Sequence, residues 1–181
     1  MYDNKKIIYI YGASGAGSTT LGENISKKSN GDFYDTDIYF WKHYENHQQR
    51  MDEMICDIKK CKKDLIIITG SFWNWKCDYK WLIDHIDYYI RVMLDPEIRM
   101  QRLEQREKDR YGSRIEIGGD LYEINKKRME WAREYDNGGL DMRSLKSNIY
   151  FENMYKINPI IVNSINTVDE NTSSIIKILG E

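Results

Sequence analysis

The 181-residue chain has few of the groups that build covalent or metal-held scaffolds. It carries three cysteines, Cys56, Cys61 and Cys77, an odd number without C-x-x-C spacing. That excludes a disulfide framework and a zinc knuckle, and leaves reduced thiols as structural residues. Of its three histidines, His43 and His47 lie four apart on an expected helix, but no third ligand accompanies them, and no zinc is assigned. No apolar run approaches the roughly 20 residues of a membrane span, and MYDNKK opens into a strand pattern rather than a signal peptide. The expected location is therefore the cytoplasm, without a membrane partner. A dominant charge is missing too: 27 Lys+Arg against 29 Asp+Glu leave a net charge of −2, so nothing pulls the whole chain toward nucleic acid. The expected partner is small, and the length suits a single domain spanning 1–181, as monomer or homodimer.

One further absence bears on chemistry. Lys6 to Thr20 read KIIYIYGASGAGSTT, an apolar β-run that breaks into a glycine-rich loop and then a helical pattern. In the pattern G-x-x-x-x-G-K-[ST], loop amides cradle phosphates, the lysine reaches the terminal ones and the hydroxyl holds Mg²⁺. Gly12, Gly17 and Thr19 fit, but Ser18 stands where the lysine belongs. Gly12, Gly15 and Gly17 are each expected to allow positive φ and a close approach of the backbone to an anion. The helix that follows adds free N–H groups and a dipole. A strand-to-helix turn with three glycines followed by Ser-Thr-Thr thus reads as an anion site.

Five β-runs, Lys6–Tyr11, Asp32–Asp35, Leu65–Thr69, Tyr88–Leu94 and Pro159–Val162, alternate with helical patterns. The helices are expected over Thr19–Lys28, Glu45–Lys62, Tyr79–Ile86, Pro96–Lys108, Asp120–Tyr135, Asp141–Met154 and Val168–Leu179. Ile7–Tyr11, Leu65–Ile68 and Tyr88–Leu94 are nearly continuous in apolar or aromatic residues, as parallel strands buried on both faces require. The alternation implies an α/β fold, a three-layer αβα arrangement around a five-stranded parallel sheet. Asp95 before Pro96 supplies an N-cap and an N1 proline, and Thr167 with Glu170 a capping box. Gly118-Gly119 and Gly138-Gly139 bracket an aromatic, charged stretch, so a small helical lid is expected over 111–139.

Ligands of open parallel sheets sit at the carboxyl ends of the strands. There the sequence sets the glycine loop, then Asp35-Thr36-Asp37, then Gly70-Ser71, then an arginine-rich helix. Asp35 and Asp37 alternate at a strand end, and Asp37 is preferred for Mg²⁺ or an acceptor hydroxyl. Arg102, Arg106 and Arg110 repeat every four residues on one helical face, with Arg114 beyond, and are read as a clamp on triphosphate. Trp73 and Trp75 are expected to wall an acceptor pocket.

Together YGASGAGSTTLG, DTDIYFW, ITGSFWNW, LDPEIRMQRLEQRE, RYGSRIEIGGDLYE and MEWAREYDNGGLDMRS resemble the P-loop kinases of small substrates, the nucleoside-monophosphate and shikimate kinase group, over nearly the whole chain. The resemblance implies an ATP- and Mg²⁺-dependent phosphotransferase acting on a small-molecule acceptor. It puts Gly12, Ser14, Gly15, Ala16, Gly17, Ser18, Thr19 and Thr20 around the nucleotide phosphates, and Thr19 and Asp37 on Mg²⁺. Arg102 and Arg106 would form the pair at the lid entrance, one stacking on adenine and one contacting phosphate, and Arg106, Arg110, Arg114 and Arg143 are the candidates for the charge that Ser18 lacks. Asp35, Asp37, Gly70 and Ser71 would face the acceptor. The departure at Ser18 leaves a nucleotide-binding regulator or slow ATPase as the second reading. A dinucleotide-binding oxidoreductase is the third. Asp37, 20 residues after Gly17, favours it, but the glycines fall as G-x-x-G-x-G rather than G-x-G-x-x-G.

Overall fold

Every residue from Ile7 to Gly12 is buried, as a strand covered on both faces demands, and this segment is the centre of the sheet. The computed structural model describes residues 5–180, so the start of MYDNKK, up to Asn4, lies outside the described residues. The strands β1 (Lys6–Gly12), β2 (Asp32–Asp35), β3 (Leu65–Thr69), β4 (Tyr88–Met93) and β5 (Ile160–Asn163) pair in parallel in the order β2-β3-β1-β4-β5. Because β3 lies between β2 and β1, the order differs from that of dinucleotide-binding folds, in which the second strand adjoins the first. The oxidoreductase reading loses its structural basis there.

The helices are α1 (Ser18–Ser29), α2 (Thr36–Lys42), α3 (His47–Lys60), α4 (Lys80–Ile83), α5 (Pro96–Tyr111), α6 (Tyr122–Arg133), α7 (Leu145–Met154) and α8 (Val168–Leu179). Strand alternation divides the core in two. Tyr9, Tyr11, Ile66 and Ile68 face Met51, Met54 and Ile58 of α3 and Phe151 of α7, whereas Ile8, Ile10, Ile67 and Ile90 face Leu21 and Ile25 of α1 and Ile175 and Leu179 of α8. The three-layer αβα fold follows. Trp73 and Trp75 belong to the first core, 8% and 4% exposed, and do not wall a pocket. The chain after β3 folds back over the sheet face, where Trp73 meets Tyr11 edge-on at 4.7 Å and stacks on Phe151 at 4.4 Å.

Helix starts follow their caps. The Asp95 side chain accepts from the N–H groups of Glu97 and Ile98, and Thr167 with Glu170 closes a reciprocal capping box. Only α5 and α8 start at the expected residue, and at three of the others a cap accounts for the difference. Asn46 caps α3, so the helix begins at His47 rather than Glu45. A Ser144–Ser147 box moves the start of α7 from Asp141 to Leu145. Asp35 accepts from the Asp37 N–H at 2.9 Å and begins α2, a helix the β-run pattern did not show. Asp35 and Asp37 are thus a cap and a first-turn residue, not alternating positions of one strand. The lid span contains a short 3-10 turn (Gly112–Ile115) and α6, which packs on α5 through Met100, Leu103, Met129 and Ala132.

Candidate functional site

Gly12 ends β1 opposite Val92, whose carbonyl leaves no room for a Cβ. Its backbone is not left-handed, contrary to expectation, and small size is what the position requires. Gly15 (φ 84°) and Gly17 (φ 97°) do hold positive φ, and Gly15 packs against Arg99 and Leu103 of α5. Gly17 is the N-cap of α1 and brings no side chain to its first amides. Those N–H groups are left for an anion.

A cleft of about 850 Å³ opens over this loop, lined by Ser14, Gly15, Gly17, Ser18, Thr19 and Thr20. Asp35, Asp37 and Gly70 line it as well, as do Arg102, Arg106, Arg110 and Arg143. Gly12 and Ala16 lie beneath the loop, with Ala16 fully buried and its N–H bonded to the Ala13 carbonyl. Ser71 and Arg114 are not brought to the cleft. The Ser71 N–H donates to Thr36 Oγ at 2.9 Å, and Arg114 is an exposed residue whose guanidinium forks onto Asp120 at 2.6 Å. Arg114 lies past the end of α5, so the four-residue spacing no longer directs it.

Two kinds of lining residue escaped the sequence reading. Arg128 enters from α6, and Ser164 and Thr167 enter from the turn between β5 and α8. Arg102 donates from Nη1 to Ser164 Oγ and from Nη2 to the Ser164 carbonyl, both at 3.1 Å. In the sequence Arg128 is one basic residue of KKRMEW, and only the packing of α6 on α5 selects it.

The charges are tightly organised. Glu107, its side chain 1% exposed, accepts from Arg106 (2.9 Å) and from Arg128 (2.8 Å) and so ties α6 to α5. Arg99 is buried behind the loop, donating to the carbonyls of Ser14 (3.2 Å) and Ala132 (2.9 Å) and pairing with Asp136 at 2.8 Å. Arg91 and the Tyr11 hydroxyl both donate to Glu152, and burial first, then that hydrogen bond, pushes the phenol up. Arg143 donates from Nη2 to the Gly12 carbonyl at 2.5 Å. Burial raises the Asp35 carboxyl above its ordinary 3.8, with the Asp37 N–H and the nearby Arg143 charge acting against it.

No cluster of three or more His, Cys, Asp or Glu residues that would cage a metal is present among the described residues. Mg²⁺ needs no such cage, because it retains waters and takes one or two carboxylates together with substrate phosphates. The Thr19 hydroxyl and the carboxylates of Asp35 and Asp37, on the lining of one cleft, fit that requirement. Nor is any described helix long and apolar enough to cross a membrane.

No protein-family model matches the chain. It is 36% identical over 145 residues to the uncharacterized protein YqaC of Bacillus subtilis (strain 168), a match covering 77% of this chain and 78% of that protein. Among solved structures, a shikimate kinase from Bacteroides thetaiotaomicron is similar at a TM-score of 0.59 and 15% identity, over 97% of this chain and 99% of that one. A deoxyadenosine kinase from M. mycoides with bound dATP is similar at 0.59 and 16%, over 97% and 100%. A shikimate kinase from Acinetobacter baumannii in complex with shikimate is similar at 0.54 and 14%, over 99% and 96%. At these identities the likeness establishes the fold, that of the small P-loop kinases.

Proposed function

The chain belongs to the family of Bacillus subtilis YqaC and has the fold of the small P-loop kinases, and on that premise we propose that it transfers the γ-phosphate of Mg-ATP to a small nucleotide, nucleoside or hydroxy compound. The observation that carries this reading is convergence. An uncapped helix N-terminus, the carboxylates of Asp35 and Asp37 where β2 passes into α2, and five arginines from α5, α6 and the segment before α7 line one cleft.

In this reading the Gly12–Thr20 loop holds the triphosphate by its amides, and Arg102, braced on Ser164, bounds the nucleotide end. Asp37 orients the acceptor, beside Asp35 and the Gly70 turn. The acceptor oxygen bonds to the γ-phosphorus as the bond to the β,γ-bridging oxygen breaks. ADP leaves, and the proton of an acceptor hydroxyl passes to Asp37. Arginine forks stabilise the charge on the transferring group. Mg²⁺ would be held by Thr19 and Asp35 and would neutralise charge on the phosphates, which leaves Asp37 free to take the proton. The segment 111–139 closes over the cleft, excluding water so that transfer outruns hydrolysis.

Ser18 favours a second reading, in which nucleotide is bound without transfer or is slowly hydrolysed. ³¹P NMR with Mg-ATP, alone and with pooled nucleoside monophosphates, nucleosides and small hydroxy-acids, separates the two. A new phosphorylated product is expected, and it should vanish in Gly17→Val, whose side chain strains the left-handed cap. ATP left intact, or lost only to free phosphate, would replace the first reading by the second.

A further inference from the structure

The loop lacks a fixed cation where Ser18 stands, and we infer that Arg143, 125 positions further along the chain, supplies that charge to the terminal phosphates. The inference rests on the phosphate-site reading above and assigns a residue within it.

The other arginines are committed or distant. Arg106 and Arg128 share the buried Glu107 carboxylate, one on each oxygen. Arg114 is paired with Asp120 and off the cleft lining, and Arg102 is fastened to Ser164. Arg110 lines the cleft, but it lies seven residues beyond Leu103, the α5 residue packed on Gly15. That separation is about 10 Å along the helix axis.

Arg143 differs on each count. Its Nη2 donates to the carbonyl of Gly12, the last residue of β1 before the loop, so the guanidinium sits at the root of the cleft. Its Nε is buried and has no hydrogen-bond partner among the described residues. Among those residues no carboxylate lies at ion-pair distance from it. Its charge nonetheless reaches Asp35, where it opposes the upward push of burial.

The backbone that follows it is tied to the end of the 111–139 segment, and the bond to Gly12 ties the side chain to β1. Ser144 caps α7 and donates to the Gly139 carbonyl at 2.6 Å, and the Leu145 N–H donates to the Tyr135 carbonyl at 2.8 Å. A lysine at 18 would travel with α1, whereas Arg143 is carried on the segment joining α6 to α7. The cation is thus held before the phosphates arrive, which is the condition under which it contributes most. Its position also depends on how α6 docks.

The test is competition of ATP, ADP and AMP, each with Mg²⁺, against N-methylanthraniloyl-ATP. It uses the wild-type chain, Arg143→Gln, Arg110→Gln and the double variant Ser18→Lys/Arg143→Gln. Gln retains a donor for the Gly12 carbonyl while removing the charge. Arg143→Gln is expected to lose on the order of tenfold or more of the preference for ATP over AMP, Arg110→Gln less than about threefold, and Ser18→Lys is expected to restore most of the loss. An unchanged preference in Arg143→Gln, or a loss confined to Arg110→Gln, would overturn the inference while leaving the phosphate site standing. Wild-type protein that binds none of the nucleotides would overturn both. Where Arg143→Gln melts below the assay temperature, Arg143→Lys carries the test. It keeps the charge and should keep the preference, and loss of the preference would sink the assignment.

Discussion

Asp35 illustrates how one side chain can serve two roles at opposite cost. As the N-cap of α2 it needs only an oxygen acceptor for the Asp37 N–H, yet it is a carboxylate in partial burial, and burial raises its pKa. Between the ordinary value near 3.8 and the raised one, the folded chain binds more protons at this site than the unfolded chain. Stability therefore falls as pH rises through that window and stays reduced above it. Asn keeps the acceptor and loses the charge, so Asp35→Asn should melt higher than wild type at pH 7. The gain should shrink as pH falls and disappear near 3.8. Thermal melts between pH 4 and 8 check this, and a difference independent of pH would show that charge burial is not the cause. The same substitution made in Arg143→Gln should gain more, because the opposing charge is gone.

At the scale of elements, Glu107 joins α5 to α6. A buried carboxylate between two guanidiniums usually makes a costly deletion, about 3–5 kcal/mol. Here Arg106 and Arg128 are 42% and 44% exposed and can turn to water once freed. Glu107→Ala is therefore expected to cost about 1–2 kcal/mol in urea unfolding, with faster amide exchange confined to α6 and the end of α5. Uniform acceleration across the sheet would place the effect elsewhere. The elements legible in the sequence were those whose signals are local: the apolar runs of β1, β3 and β4, Asp95-Pro96, and the Thr167–Glu170 box. Less legible were starts set by weaker caps. Ser147 fills the third position of the Ser144 box, where Glu or Gln would have announced it, and Asp35-Thr36-Asp37 reads equally as a strand end. The loop lining the cleft could be read from glycine spacing. Arg128 could not, because its place depends on Met129 and Ala132 meeting Met100 and Leu103 across two helices. The tryptophans misled for a related reason, since an aromatic residue after a strand serves a pocket wall or a core equally well until the path of the loop is known.

Across the whole molecule the cleft gathers residues from Ala13 to Asn171, so its assembly depends on the docking of separate layers. The proposed lid leaves Ile117 88% exposed on a turn. Trypsin is expected to cut first at Arg110, Arg114 or the lysines of α6, and saturating Mg-ATP to slow those cuts severalfold by holding the segment down. Early cleavage elsewhere, or cutting indifferent to nucleotide, would count against closure. The strand order has a further consequence during synthesis. β1 carries the longest fully buried run of the sheet and lies between β3 and β4, both of which are made after it. At the usual pace of translation it waits on the order of ten seconds with both edges unpaired. A nascent chain stalled before Met93 would leave the β4-side edge of that strand without its partner and open to any neighbour on the same messenger, so slower translation between β3 and β4 is expected to lower the yield of folded protein.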